Sequence, residues 1–201
     1  MRRMAWVLAM LMMAVTITSC AKVPQAELDM AKAKIEELKQ MEADAYAPAE
    51  YRVVVDSLSA AEREIEAQNG KFALFRSYGK AKTTLAAVTT LSESAKQAAV
   101  AGKEKARQEA DALIMQAQAA LDSTAAMVKR APKGKESKAE IELIKTDHAA
   151  AMTSLDEARA AYGQEDYLGA KAKAEAVLSK ANGLMSELQA AMDKYKAARG
   201  H

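Results

Sequence analysis

Apolar side chains recur along this chain at alternating three- and four-residue steps, the spacing of one buried helix face. Leu28, Ala31, Ile35, Leu38, Met41 and Ala45 form the first such series, predicting a helix over about 25–45. Pro48 stands where a new helix can begin, because its missing N–H is not needed in the first turn. Tyr51, Val54, Leu58, Ala61 and Ile65 continue from it, and Asn69-Gly70 reads as a stop, since both residues tolerate the left-handed conformation. A third series starts at Phe72 and Phe75 and runs through Leu85, Val88, Leu91, Ala95 and Ala98. It resumes beyond Gly102 with Ala106, Ala110, Leu113, Ala117, Ala120, Thr124 and Val128. One helix over 72–131 is therefore expected, with Gly102 as a kink or a break. Ala131-Pro132-Lys133-Gly134-Lys135 is a turn, and Ser137 with Glu140 three residues later reads as a capping box.

The last two series are the most regular. Ile141, Ile144, His148, Ala151, Leu155, Ala158 and Tyr162 precede Gly163, which is expected to end that helix. Asp166 is placed to cap a final helix carrying Tyr167, Ala170, Ala174, Val177, Ala181, Leu184, Leu188, Ala191, Tyr195 and Ala198. The one β-branched run of note, Val53-Val54-Val55, lies within helical spacing. The expected fold is all-α: an elongated, antiparallel, coiled-coil-like bundle, because short connections at 46–48, 69–71, 132–136 and 163–165 make successive helices antiparallel. The halves 25–101 and 102–199 each read as three helical segments, with Phe72 and Tyr167 at equivalent places after the second turn. This suggests two three-helix units end to end; a folded-back bundle of five or six helices is the alternative. Alanine-rich faces bury little area per residue, so a thin core is expected.

The N-terminus follows a different pattern. Arg2 and Arg3 precede the apolar run Ala5 to Ile17, a basic n-region and short h-region of the secretory type. The run falls short of the ~20 apolar residues a permanent membrane span needs. It ends in Ile17-Thr18-Ser19-Cys20, which resembles the lipobox of bacterial lipoproteins. The resemblance implies that residues 1–19 are a signal peptide recognised through Ile17, Thr18 and Ser19. It also implies that Cys20 is lipidated and that 20–24 form a tether. Cys20 is the single cysteine in the chain, so it has no intramolecular disulfide partner. Two or three acyl chains on one residue give stable anchoring. The residue after it is Ala21 rather than aspartate, which resembles the default for outer-membrane sorting, facing the periplasm.

Removing residues 1–19 takes away Arg2 and Arg3 and leaves 27 basic side chains, from 29, against 27 acidic ones. Without a basic excess, nucleic acid is not an expected partner. Carboxylates such as Glu62, Glu64, Glu66, Glu104, Glu109 and Asp111 fall among lysines and arginines, as on a solvated, ion-paired face rather than in a catalytic pair. Gly79-Lys80 and Gly102-Lys103 lack a P-loop's strand and glycine spacing. His148 lies on an apolar seam and reads as a partly buried structural histidine; His201 is terminal. With Cys20 acylated no His/Cys metal set remains, and no metal or cofactor is implied. Met115, Met127, Met152, Met185 and Met192 read as gap-fillers between helices. Tyr46, Tyr51, Tyr78, Tyr162, Tyr167 and Tyr195 mark turns or helix ends.

Two local patterns are Ala47-Pro48-Ala49-Glu50-Tyr51, entering a helix with Leu58 and Ala61, and Glu165-Asp166-Tyr167-Leu168-Gly169-Ala170, entering the last helix. They resemble a family of bacterial envelope lipoproteins with an alanine-rich helical domain, a domain also found ahead of OmpA-like domains. That family carries no catalytic residues to transfer. The expectation is a lipid-anchored structural or interaction protein of the envelope, without catalysis, held to the membrane by its N-terminal lipid and serving an envelope protein partner. Its seams could close within one chain or between copies in a homo-oligomer. The alternative is a binding module whose helical pairs, as in tetratricopeptide proteins, hold a peptide or hydrophobic ligand.

Overall fold

The structure, a computed structural model, describes residues 22–131 and 138–199. It is all-α, with no strand among the described residues. Among the described residues six helices form: α1 (Gln25–Gln40), α2 (Ala43–Tyr46), α3 (Pro48–Asn69), α4 (Gly79–Arg130), α5 (Lys138–Gly163) and α6 (Tyr167–Arg199), with a 3-10 turn over Ala73–Phe75. They belong to two compact units that divide between Val100 and Ala101. The helix α4 runs through that division and supplies a helix to each unit. Gly102 lies inside it, and the helix is unbroken there. The expected signal segment 1–19, Cys20, the expected turn over 132–136 and Ser137 of the expected capping box fall outside the described residues.

In the first unit α3 runs against α1, while the first part of α4 runs parallel to α1. Ion pairs fix this register. Lys32 meets Glu62 of α3 at 2.9 Å, and Glu27, Lys34 and Glu37 of α1 meet Lys82, Glu93 and Lys96 of α4 at 3.4, 2.9 and 2.6 Å. Between the helices lies one narrow core of Ala31, Ile35 and Leu38, Val54, Leu58, Ala61 and Ile65, and Ala81, Leu85, Val88, Ala95 and Ala99. The second unit repeats the plan. Here α5 runs against the rest of α4 and α6 runs parallel to it, so that Lys171 reaches Glu109 at 2.7 Å and Arg159 reaches Gln118 at 2.7 Å. Its seam passes through Ile114, Ala117, Leu121, Leu155, Ala158, Ala174, Val177 and Ala181. It continues through Ile141, Ile144, Leu184 and Leu188.

Several details depart from the pattern in the sequence. The α1 series does not continue to Ala45: α1 ends at Gln40, Glu42 turns left-handed (φ 56°), and the phase shifts so that Ala43 and Ala47 are buried while Ala45 is exposed. Asn69 does end α3, but Gly70 stays in the right-handed region (φ −69°). The left-handed residue after α5 is likewise not Gly163 but Glu165 (φ 63°). There the Glu165 N–H donates to the Tyr162 carbonyl and the Asp166 N–H to the Ala161 carbonyl, closing the helix end in the two-bond manner that usually recruits glycine. Helix α4 begins at Gly79, seven residues later than expected, because past the end of α3 no apolar surface remains for Phe72 and Phe75 to cover. Met115 is exposed, whereas Met127, Met152, Met185 and Met192 are partly buried as gap-fillers.

Asp166 caps α6 as expected, its Oδ1 accepting the Gly169 N–H at 2.9 Å. A Cβ at Gly169 would overlap that carboxylate, whereas one at Gly183 would meet open space. Gly183→Ala is therefore expected to stabilise the protein by about 0.5–1 kcal/mol, the ordinary helix-interior gain. Gly169→Ala should forgo that gain and lose a cap worth about 1 kcal/mol. Urea denaturation of the two variants side by side reads the difference in sign. Leu155, fully buried, should cost about 2–5 kcal/mol as Leu155→Ala.

Candidate functional site

The residues with assignable chemistry in the sequence, Ile17, Thr18, Ser19 and Cys20, lie outside the described residues. Within them no helix is long and apolar enough to cross a membrane. His148 is half-buried on α5, and its Nε2–H donates to the Leu121 carbonyl of α4 at 3.0 Å. One turn along α4, the buried Thr124 hydroxyl lies 2.8 Å from the Ala120 carbonyl and 3.4 Å from that of Ala181 on α6. Together they make one polar layer across three helices, which fixes register in an otherwise apolar seam. Among the described residues no three His, Cys, Asp or Glu side chains converge to hold a metal ion.

The Glu165–Ala170 pattern builds a corner of the second unit. Tyr162 and Tyr167 pack edge to face with ring centroids 5.2 Å apart. Lys103 Nζ stands 5.9 Å from the centre of the Tyr167 ring and 3.2 Å from Glu165. Arg107 grips both Glu104 oxygens at 2.8 Å and reaches the Tyr162 hydroxyl at 3.4 Å. The guanidinium of Arg107, then the Gln108 amide, hold the Glu104 carboxyl down to about 2. Lys103, Glu104, Arg107, Tyr162 and Glu165 each meet another member of this corner, so it braces the α5–α6 turn. Three of the other carboxylates singled out in the sequence behave similarly: Glu62 pairs with Lys32, Glu64 with Lys80, and Glu109 with Lys171 and Lys105. More of these contacts join helices than run along one.

Clefts are small. Grooves between α5 and α6, lined by Asp147, Ala151, Val177 and Lys180 and by Glu140, Leu143, Glu187 and Lys194, measure about 210 and 260 Å³. Both fall below the ~300–1,000 Å³ of ordinary ligand pockets.

A feature that sequence reasoning misplaced is the α3–α4 connection. Phe72 and Phe75, expected at the head of a helix seam, are 70% and 75% exposed, and Leu74 between them is 77% exposed. They sit on the 3-10 turn, the two rings 6.4 Å apart. The turn is held from beneath. Arg76 donates to the Lys71 and Asn69 carbonyls, each at 2.9 Å, satisfying the C-terminal end of α3. Gln68 Oε1 accepts the Ser77 N–H at 3.0 Å, while its amide donates to Glu64 at 2.8 Å. Buried Tyr78 donates its hydroxyl to Asn69. Phe72 does not match Tyr167, which is half-buried against Tyr162; the turn that resembles the α5–α6 corner is 41–47, with its own left-handed glutamate. No protein family, curated protein or solved structure matches the chain.

The ion pairs give a pH dependence. Glu104, Glu37, Glu64, Glu109 and Glu142 are all lowered from the ordinary carboxylate range by lysine, arginine or amide donors, while Lys34, Lys171 and Lys180 are raised by their carboxylate partners. A lowered carboxylate contributes stability above its unfolded value and loses it as pH falls through the folded one. A raised lysine contributes below its unfolded value and loses its share as pH rises through the folded one. Urea midpoints are therefore expected to be flat between about pH 5 and 10, falling towards pH 2 and again above 10.5. Because the pairs are solvent-exposed, high salt should shrink both arms.

Proposed function

We propose that this chain is a lipid-anchored structural or interaction protein of the bacterial cell envelope, held by an acylated Cys20 and facing the periplasm from the outer membrane. It acts through its helical surface rather than by catalysis. The observation that carries this reading is the basic, apolar and Ile17-Thr18-Ser19-Cys20 series at the N-terminus, ending on the single cysteine of the chain. The helical part supports it: charged side chains are spent largely on one another across helix boundaries, and helix begins at Gln25, five residues beyond Cys20. The alanine-rich envelope lipoproteins that the chain resembles have the same combination of anchor and helical domain. A holder of a peptide or small hydrophobic ligand is the weaker reading, because the grooves between α5 and α6 are small.

Expression of the whole chain in a bacterium that makes lipoproteins tests the anchor. Mass spectrometry should find a mature N-terminus at Cys20 carrying diacylglycerol, in the outer-membrane fraction. Cys20→Ala should leave an unacylated precursor about the length of residues 1–201. A mature protein that starts elsewhere, with a free thiol at position 20, would remove the basis for the proposal.

A further inference from the structure

The chain enters the first unit at Pro24, and the pairs Glu27–Lys82 and Glu64–Lys80 place the start of α1, the end of α3 and the start of α4 side by side. The turn over Ala73–Phe75 therefore lies at the same end of the unit as the N-terminal tether. Three residues, 21–23, separate Cys20 from Pro24, and that stretch of chain spans at most about 14 Å.

We infer that Phe72, Leu74 and Phe75 insert into the interface of a lipid bilayer, making a second membrane contact beside the acylated N-terminus; the placement of that contact rests on the lipid-anchor reading. Three observations carry it. The side chains are large, apolar and contiguous, and they project from a turn that other residues hold in place, so their display needs no ordering on contact. The residues flanking the tips are cationic: Lys71 and Arg76 stand on either side of them, while Lys80 and Lys82 are paired with Glu64 and Glu27. Aromatic and aliphatic tips flanked by lysine and arginine suit a bilayer interface, where rings enter the acyl boundary and cations meet anionic headgroups. Finally, the tether delivers this end of the unit to the membrane, so a modest contact that the turn makes by itself is strengthened by high local concentration. Anchor and turn together would hold the first unit end-on at the surface.

The test uses residues 21–201, which contain every described helix and lack both Cys20 and Trp6. This chain should float with vesicles of phosphatidylcholine and phosphatidylglycerol, more weakly with phosphatidylcholine alone, and less in high salt. A Phe75→Trp variant should show a blue-shifted emission on binding and be quenched by brominated lipid tails. Phe72→Ser with Phe75→Ser should lower partitioning at least about tenfold, with an unchanged helical circular dichroism spectrum, because neither side chain makes the bonds that hold the turn. Val53→Ser, on an exposed part of α3, should leave partitioning alone. The inference is overturned if the chain does not float, if the double variant floats as well as the parent, or if the tryptophan shift follows protein concentration without lipid, which would mark the turn as a self-association surface. Acylation is read separately on the whole chain, so failure of the anchor and failure of the turn give different results.

Discussion

The constraint on which the rest of this structure depends is close approach between helices whose contact faces are largely alanine. Ala61, Ala95, Ala117, Ala158, Ala174 and Ala181 occupy seam positions where larger residues would hold the backbones apart. An alanine methyl contributes little hydrophobic free energy by itself. The fully buried leucines, Leu38, Leu85, Leu121, Leu155, Leu184 and Leu188, each supply more apolar area than an alanine and so mark where each seam is least tolerant of truncation. A thin seam also leaves charged side chains within reach of the neighbouring helix, which explains why so many lysine–glutamate pairs here bridge helices. Each such exposed pair contributes little alone. Their geometric effect is larger, since a slip along one helix would break several at once.

The polar layer at His148 and Thr124 follows from the same geometry. A seam this uniform offers little to distinguish one register from another, because alanines three or four residues apart are interchangeable as packing surfaces. A donor on one helix that must find a carbonyl on another breaks that degeneracy. Glu42 and Glu165 mark a second feature: each adopts a left-handed conformation that its Cβ disfavours, at the point where one helix has ended and the next has yet to start.

Much of this was legible in the sequence, and the misreadings have identifiable causes. The periodicity of Val54 to Ile65, of Ile141 to Tyr162 and of Tyr167 to Ala191 reports burial directly, because each series lies in a helix with partners along its whole length. The series beginning at Phe72 has the right spacing but no partner, since α3 has already ended at Asn69. Spacing records which side chains could share a face; it carries no record of whether a second helix is there to cover it. Gly70 and Gly163 misled for a related reason. Glycine permits a left-handed residue, but Arg76 closes the end of α3 instead, and the reversal after α5 falls on Glu165. The α6 cap at Asp166 was readable because it is local, its acceptor and donor being three residues apart. The N-terminal segment carries its information in composition and order, and Cys20 lies outside the described residues.

The turn between α3 and α4 divides its labour cleanly. Gln68, Asn69, Arg76, Ser77 and Tyr78 hold it, and the side chains of Phe72, Leu74 and Phe75 take no part in those bonds. What is displayed and what does the displaying are chemically independent. Substitutions at the three tip positions are therefore nearly free of folding consequences, and a lineage could exchange them rapidly while the flanking glutamine, asparagine and arginine stayed fixed. The same independence makes the tip a natural place to graft a foreign epitope or label.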